Sequence, residues 1–411
     1  MSNHQTIAGA QKGSQESVQL LLANTKTSTP SVYLTQDLLC FSHLRWNFVY
    51  QRPQHLLTRA SRHYRVWFWE EPVFDNHAWL EVRAVTSQLH VIVPHVPHGT
   101  DSETANELQR RWLNGFLVQH KIADFVSWYY TPMALAFTDH LKPQVTLYDC
   151  MDELSAFQGA SPQLRQREKQ LMQRAEMVFT GGYSLYEAKQ KLHPSVHAFP
   201  SSIDHSHFAQ ARKGLTDPAD QESLPYPRIG YSGVIDERLN LTLLRELAQT
   251  RPDWQFILLG PVVKIDPATL PQGPNLHYLG MKAYEDLPAY FSNWQVALLP
   301  FALNDATRFI SPTKTPEYLT GGLPVVSTPI RDVVTTYGGS GPVWIADTVS
   351  AFEQAIAEAL QNQPTLDWSQ IDAQLGQNSW EQTWKAMHEL IEEQVQVQGA
   401  SVAADTKALP L

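Results

Sequence analysis

The chain has 411 residues, with 31 lysines and arginines against 41 aspartates and glutamates, so its formal net charge is −10 at pH 7. This length favours two domains, because single hydrophobic cores stop growing at roughly 250–300 residues. The acidic balance argues against nucleic-acid binding, which needs a basic surface. The two cysteines, Cys40 and Cys150, lie in apolar runs and are expected to be buried free thiols.

The N-terminal segment, residues 1–30, lacks the basic-then-apolar order of a signal peptide and is predicted to be a disordered tail. No apolar stretch reaches the length of a membrane span. These two features favour a cytoplasmic enzyme.

Residues 31–205 alternate between short, continuously apolar runs and helical segments. Continuous apolar runs are typical of strands that are covered on both faces, as in an open parallel sheet. We therefore expect an α/β domain with a doubly wound sheet here. The predicted strands are residues 37–42, 65–71, 89–96, 125–130, 145–150 and 177–182.

The same alternation resumes after a polar connector that is rich in proline, residues 197–227, so residues 206–375 are predicted to form a second doubly wound domain. Its predicted strands are residues 228–233, 254–260, 275–280, 295–301, 324–328 and 342–346.

A helix is predicted over residues 376–398, because Ser379 and Gln382 form a capping box and an aromatic stripe follows. The stripe has two possible partners: the helix's own domain, or both domains, which it would clamp together. The last residues, 399–411, are small and polar and are predicted to be a tail.

Open parallel sheets bind ligands at the carboxyl ends of their strands, so the loops there are the candidate sites. After the first strand, the loop SHLRWNFVYQRPQHLL carries Arg45 and Arg52 at the start of a helix. Two arginines there favour a phosphate or an acidic substrate. A solvated loop in which Trp46 covers the surface is the alternative.

Carboxylates follow the strand at residues 145–150, in the run YDCMDEL. Asp149, Asp152 and Glu153 suit hydroxyl recognition or proton transfer. They suit the N-capping of a helix equally well.

The second domain offers glycines and basic residues after its strands. Gly233 and Arg238 follow the first of them, and Gly260 and Lys264 follow the next. A glycine lets a ligand approach the backbone, and an arginine neutralises phosphate charge.

The stretch SPTKTPEYLTGGLPVVST, residues 311–328, is predicted to hold a short helix with Thr315 as N-cap and a left-handed glycine at its end. Lys314 stands just outside the helix N-terminus, where anions bind. Glu317 has a simpler explanation, since an acidic residue in the first turn stabilises the helix dipole. Several such loops on one rim predict a nucleotide-diphosphate pocket.

A metal site is not expected. His193 and His197 are four residues apart, and His205 and His207 flank Ser206, but neither pair belongs to a complete ligand set. The phosphate-binding P-loop, the nucleophile elbow and the dinucleotide fingerprint are all missing from the sequence.

Together these motifs resemble the GT-B glycosyltransferases, specifically the retaining kind that use sugar nucleotides. PSSIDHSHF (200–208) is similar to their linker motif, and RIGYSGVIDERLNLTLL (228–244) to the opening strand and phosphate loop of their donor domain. KTPEYLTGGLPVVST (314–328) is similar to their donor-binding signature. The loop SHLRWNFVYQRPQHLL with YDCMDEL resembles a branch found among bacterial surface-polysaccharide genes.

The resemblance implies two Rossmann-like domains that face a cleft, with the C-terminal helix crossing back. It implies that Glu317 accepts the ribose hydroxyls and that basic side chains bind the diphosphate. Many members have a second glutamate eight positions earlier that contacts the donor sugar, but this chain has Phe309 there. Backbone groups around residues 311–313 are expected to substitute. The implied donor-binding residues are Gly233, Arg238, Lys264, Ser311, Thr313, Lys314 and Glu317.

The implied reaction is hexosyl transfer, with retention, from a UDP- or GDP-linked sugar to a glycan or lipid-linked hydroxyl in polysaccharide synthesis. It needs no metal and no other cofactor. The first domain would present the acceptor near Arg52, Asp149 and Asp152, the candidate catalytic residues. Two alternatives stay open: a sugar-nucleotide epimerase, and a non-catalytic partner subunit. Enzymes of this kind often act at the inner face of a membrane, so peripheral association is compatible with the resemblance.

Overall fold

A computed structural model describes residues 36–339 and 341–407. The predicted tail at residues 1–30 lies outside the described residues. The chain forms two sheets, and the carboxyl ends of strands from both border one cleft.

The first sheet has nine strands in the order β3-β5-β2-β1-β6-β7-β8-β9, and β4 pairs with β5. All neighbours are parallel except β4 and β5. The six predicted strands are present. The strands are β1 (Asp37–Phe41), β2 (Arg65–Trp69), β3 (Val73–Asp75), β4 (Trp79–Ala84), β5 (Leu89–Pro97), β6 (Phe125–Tyr129), β7 (Val145–Cys150), β8 (Met177–Thr180) and β9 (Val196–Ala198).

Sequence reasoning missed β3, β4 and β9, because these strands are short or only partly buried and lack a continuous apolar run. The helices of this domain cover the sheet. They are α1 (Arg52–Ala60), α2 (Ser102–Gln119), α3 (Leu135–Thr138), α4 (Leu164–Arg174) and α5 (Tyr183–Lys189).

The second sheet has six parallel strands in the order β12-β11-β10-β13-β14-β15. Its order reverses between β10 and β13, and ligands of such sheets bind beside that reversal. The strands are β10 (Arg228–Ser232), β11 (Gln255–Leu259), β12 (Leu276–Gly280), β13 (Val296–Leu299), β14 (Val325–Ser327) and β15 (Val343–Ile345). The helices are α6 (His205–Phe208), α7 (Leu241–Thr250), α8 (Leu287–Phe291), α9 (Lys314–Thr320), α10 (Arg331–Tyr337), α11 (Val349–Asn362), α12 (Ser369–Leu375) and α13 (Trp380–Lys407).

The C-terminal helix α13 crosses back to the first domain. The predicted capping box is present, since the Gln382 side chain accepts from the Ser379 backbone and the Ser379 hydroxyl accepts from the Gln382 backbone. Its aromatic stripe joins the core beneath α1, and Trp380 and Trp384 are each 2% exposed. Burying each such side chain contributes about 1.5–3 kcal/mol, so the stripe ties the second domain to the first.

The helix α13 runs to Lys407, beyond the predicted end at residue 398. The added stretch contains alanines, which are the best helix formers. Of the helices in the described ranges, none is both long and apolar enough to cross a bilayer. Cys40 and Cys150 are buried and free, as predicted.

Candidate functional site

The cleft between the domains contains a pocket built from strand-end loops of both sheets. The first domain contributes the loop after β1 and the residues after β7 and β8, while the second contributes the loops after β10 and β13. The pocket therefore lies where the topology of both sheets predicts a ligand. The predicted site residues in its lining are Arg52, Asp152, Gly233, Arg238, Ser311, Thr313, Lys314 and Glu317.

The helix α9 carries the two charged residues on which the sequence interpretation depends. It begins at Lys314, so Thr315 is a buried residue of the first turn and the prediction that it caps the helix is wrong. Pro316 is tolerated there because N–H groups in the first turn lack helical partners anyway. The chain leaves the helix through Gly322, whose φ of 80° is left-handed as predicted.

Lys314 and Glu317 form an ion pair at the wall of the pocket. The Nζ atom of Lys314 lies 2.7 Å from Oε2 of Glu317. Burial raises the pKa of the Glu317 carboxyl group, and the neighbouring Lys314 opposes that rise. The other carboxylate oxygen has no hydrogen-bond partner among the described residues, so this group can accept further hydroxyl donors.

Arg238 is held in a fixed orientation beside the pocket. Its Nε and Nη2 atoms donate to both carboxylate oxygens of Asp236 at 2.7–3.1 Å. Asp236 is 3% exposed, whereas about a quarter of the Arg238 side chain is exposed. The remaining N–H groups of Arg238 are thus available to an anionic ligand.

Lys264 is set back from the pocket lining but shares a neighbour with Arg238. The ring of Phe157, from the first domain, lies 5.0 Å from the Lys264 Nζ atom and 5.5 Å from the Arg238 guanidinium carbon. The backbone of Lys264 is left-handed, with φ of 61°, which is unusual for a residue with a side chain. Phe157 gave no signal in the sequence, because its position depends on contact between the domains.

The glycines at this rim have packing reasons of their own. A Cβ atom at Gly260 would lie 1.8 Å from the carbonyl oxygen of Gly233, and one at Gly233 would lie 2.7 Å from the Tyr231 hydroxyl. The small size of both residues is therefore explained without a ligand. That a ligand approaches the backbone closely at Gly233 stays a prediction.

The first domain contributes a buried ion pair beneath the pocket. The Nε atom of Arg52 donates to both oxygens of Asp149 at 3.0 Å, and Nη1 donates to the backbone carbonyl of Phe199 at 2.8 Å. Asp149 is fully buried and does not line the pocket, which corrects its prediction as a residue that contacts the acceptor. Its strand buries it, and Arg52 takes up both of its oxygens.

Asp152, three residues later, is the carboxylate of this loop that faces the pocket. Burial between the domains raises its pKa, and Arg238 is the strongest of the cations that oppose the rise. Glu153 turns the other way and binds Lys189 at 2.7 Å. Of the three carboxylates in YDCMDEL, only Asp152 is placed to contact a ligand here.

An aromatic cluster behind Glu317 was missed in the sequence. Tyr284 packs on Tyr50 and stacks on His207, with ring centroids 4.7 Å and 4.3 Å apart. His55 stacks on Trp380 of α13 at 4.6 Å, and burial lowers the pKa of His55 to about 2, so its ring is neutral. The cluster joins four segments that are distant in sequence. No group of His, Cys, Asp or Glu within the described ranges has the geometry of a metal site.

A second pocket of about 450 Å³ opens beside the first, between the loops after β11 and β12 and the loop after β1. The two pockets share Tyr50, Gly233 and Lys314 in their walls. Lys314 therefore contributes to the wall of both pockets.

The sequence of the second domain and the fold of the chain are both similar to those of known proteins. The family of glycosyl transferases group 1 matches residues 226–362, which include every strand of the second sheet. The second domain is therefore similar in sequence to a glycosyltransferase domain. A protein of Bacillus subtilis (strain 168) whose name describes it as a teichuronic acid biosynthesis glycosyltransferase is 24% identical over 217 residues, which cover 49% of this chain and 54% of the relative. The match thus spans about half the length of that curated relative.

Solved GT-B glycosyltransferases share the architecture. Sucrose-phosphate synthase from Thermosynechococcus elongatus superposes with a TM-score of 0.63 at 15% identity, over 87% of this chain and 98% of that one. Anabaena HepE, in complex with UDP and glucose, gives a TM-score of 0.62 at 14% identity, over 87% and 99%. At such identities the likeness shows the fold, and the predicted pair of Rossmann-like domains is confirmed.

Proposed function

We propose that the protein is a retaining glycosyltransferase that moves a hexosyl unit from a UDP- or GDP-linked sugar to a hydroxyl group of a glycan or lipid-linked acceptor. The observation that carries the proposal is the lining of the cleft, where Glu317, Lys314 and Arg238 share one pocket. A carboxylate that can accept paired hydroxyls stands there beside cations that suit a diphosphate.

Each charged group has a role in this proposal. Glu317 accepts the two ribose hydroxyls, and Lys314 and Arg238 stabilise the charge that develops on the departing diphosphate. Ser311 and Thr313, in the loop before α9, hold the donor sugar through backbone groups. This matters because Phe309 packs against the core of the first domain and lies outside the pocket lining.

The first domain presents the acceptor in this scheme. Asp152 faces the donor residues from the opposite wall and binds an acceptor hydroxyl, while the buried Arg52–Asp149 pair fixes the loop that carries it. Closure of the two domains excludes water, whose attack on the donor is the competing reaction. The name of the Bacillus subtilis relative, which refers to teichuronic acid biosynthesis, supports a bacterial surface-polysaccharide setting. We place the reaction in the cytoplasm, at the inner face of the membrane.

A donor screen followed by NMR tests the proposal. The full-length protein is incubated with each common UDP-, GDP- and ADP-linked hexose in the absence of acceptor, and the sugar signals are followed. We expect one or a few donors to be hydrolysed slowly, with release of the nucleoside diphosphate. Conversion of the sugar to an epimer while it stays linked to the nucleotide would favour an epimerase. Failure of every nucleotide to bind at millimolar concentration would favour a non-catalytic partner subunit.

A further inference from the structure

A cavity of about 750 Å³ lies on the boundary between the domains, apart from the pocket of Lys314 and Glu317. One wall is α4 of the first domain, and the other is the segment around residues 305–309 of the second. Ligand cavities commonly measure roughly 300–1,000 Å³, so there is space for a sugar unit. None of the donor residues described above contributes to its lining.

The cavity adjoins the donor pocket through two short backbone connections. Asp152 lines the donor pocket, and the next residue, Glu153, lines the cavity. Ser311 lines the donor pocket, and Phe309, two residues earlier, lines the cavity. The cavity and the donor pocket are therefore neighbours on the same two loops.

Three cations in the lining have no carboxylate within 4 Å in the described part of the chain: Arg165, Lys169 and Arg308. Arg165 and Lys169 are four residues apart on α4 and so share one face of that helix. Arg308 approaches from the other domain, with its guanidinium carbon 5.1 Å from the centre of the Phe309 ring. The cations thus face the cavity from both domains.

The carboxylates of the lining are largely compensated. Glu153 and Glu168 both bind the Nζ atom of Lys189 at 2.7 Å, and the Lys189 side chain is 3% exposed. Asp305 is the third carboxylate in the lining. Three cations and three carboxylates line the cavity, and two of the carboxylates, Glu153 and Glu168, already share Lys189 as a partner. The free hydrogen-bond donors are therefore those of the unpaired cations.

The lining also has apolar side chains, Phe309, Met172 and Leu192, of which Leu192 is 64% exposed, and two neutral polar ones, Ser155 and Gln173. The apolar side chains offer a surface for the face of a sugar ring, and the charged side chains offer partners for its substituents. The position at which related sequences carry a sugar-binding glutamate thus supplies an aromatic ring to a different cavity.

We propose that this cavity is an acceptor subsite that binds a saccharide bearing an anionic group, a phosphate or a carboxylate, through Arg165, Lys169 and Arg308. The inference rests on the proposed glycosyl transfer, since it names the chemical class of the acceptor. Phosphate and carboxylate share the chemistry that these cations recognise, and the experiment separates them.

The test measures binding of three small saccharides to the full-length protein by NMR titration: glucose, glucuronic acid and glucose 1-phosphate. The charge variant combines Arg165→Gln, Lys169→Gln and Arg308→Gln. The matched control combines Arg111→Gln, Lys142→Gln and Lys213→Gln, which remove the same charge from exposed positions elsewhere. UDP and GDP binding is measured on each protein, and Lys314→Ala reports any probe that occupies the donor pocket.

We expect at least one anionic saccharide to bind about tenfold more tightly than glucose, with a preference that weakens at high salt. The charge variant abolishes that preference and keeps nucleotide binding, whereas the control and Lys314→Ala keep the preference. Preference for glucuronic acid assigns a carboxylate, and preference for glucose 1-phosphate assigns a phosphate. Equal affinity for charged and neutral sugars, an equal loss in the control, or no binding of either anion would overturn the subsite. If neither UDP nor GDP binds the wild-type protein, the result would instead contradict the proposed function.

Discussion

Two ion pairs near strand ends, one in each domain, differ in how deeply they are buried. The deeply buried pair supports the fold, and the partly exposed pair is placed to bind a ligand. Arg52 and Asp149 of the first domain have side chains that are 1% and 0% exposed, and Arg52 takes up both carboxylate oxygens. Lys314 and Glu317 of the second domain are 16% and 9% exposed, and their pairing uses one carboxylate oxygen. In the first pair, both carboxylate oxygens of Asp149 are engaged by Arg52. In the second pair, one oxygen of the Glu317 carboxylate has no partner among the described residues and can accept a hydrogen bond from a ligand in the pocket.

The largest expected effect is the loss of stability when the buried pair is broken. Asp149→Ala leaves the Arg52 guanidinium buried without its counter-charge, which costs about 3–5 kcal/mol. Urea unfolding followed by tryptophan fluorescence measures the shift of the midpoint. Asp124→Ala, at an exposed position of the same domain, is the control and should change the midpoint little.

If Glu317→Ala lowered the urea midpoint as much as Asp149→Ala, the two pairs would not differ in their support of the fold. We expect a smaller loss for Glu317→Ala, because Lys314 keeps access to the pocket and its water.

The next effect concerns the ligand. Lys314→Ala should weaken the binding of UDP or GDP by about 1.5–3 kcal/mol, the range for a hydrogen bond to a charged group, while nucleosides lose much less. Calorimetric titration of each nucleotide and its nucleoside gives the difference. Lys213→Ala, at an exposed site, controls for loss of charge. Equal losses for nucleotide and nucleoside would contradict a diphosphate role for Lys314.

The smallest effect is expected at Lys264, which lies behind the pocket lining. Lys264→Gly relieves a left-handed backbone but adds freedom to the unfolded chain, and these terms of about 0.5–1 kcal/mol oppose each other. The midpoint should stay nearly constant while diphosphate affinity falls by less than for Lys314→Ala.

Lys121→Gly is the matched control for that substitution, because Lys121 also has a left-handed backbone, with φ of 55°, but follows α2 in the first domain. An equal drop in affinity for Lys121→Gly would show that the effect is not specific to Lys264. A large drop confined to Lys264→Gly would place that lysine on the diphosphate.

Much of the fold could be predicted, because buried parallel strands are continuous apolar runs with helices between them. The signature around Lys314 and Glu317 also led to the cleft, since charged residues at the ends of neighbouring strands converge. Prediction failed where position depends on tertiary contact. Nothing in the run YDCMDEL indicates that Asp149 is buried against Arg52, whereas Asp152 lines the pocket.

The same limit applies to residues that act across the domain boundary. Phe157 reaches Arg238 and Lys264 only because the domains are packed together, and Tyr284 meets Tyr50 for the same reason. The strands β3 and β9 were missed because their residues are partly buried or exposed and form no continuous apolar run.

The most direct test of the account is calorimetric titration of UDP, GDP and ADP into the wild type, Glu317→Ala and the exposed control Glu246→Ala. The account predicts that at least one nucleotide binds the wild type and the control equally. Glu317→Ala should bind it about 1–3 kcal/mol more weakly, through loss of charge-assisted hydrogen bonds to the ribose. Unchanged nucleotide affinity in Glu317→Ala would contradict the central claim. It would show that Glu317 only stabilises its helix.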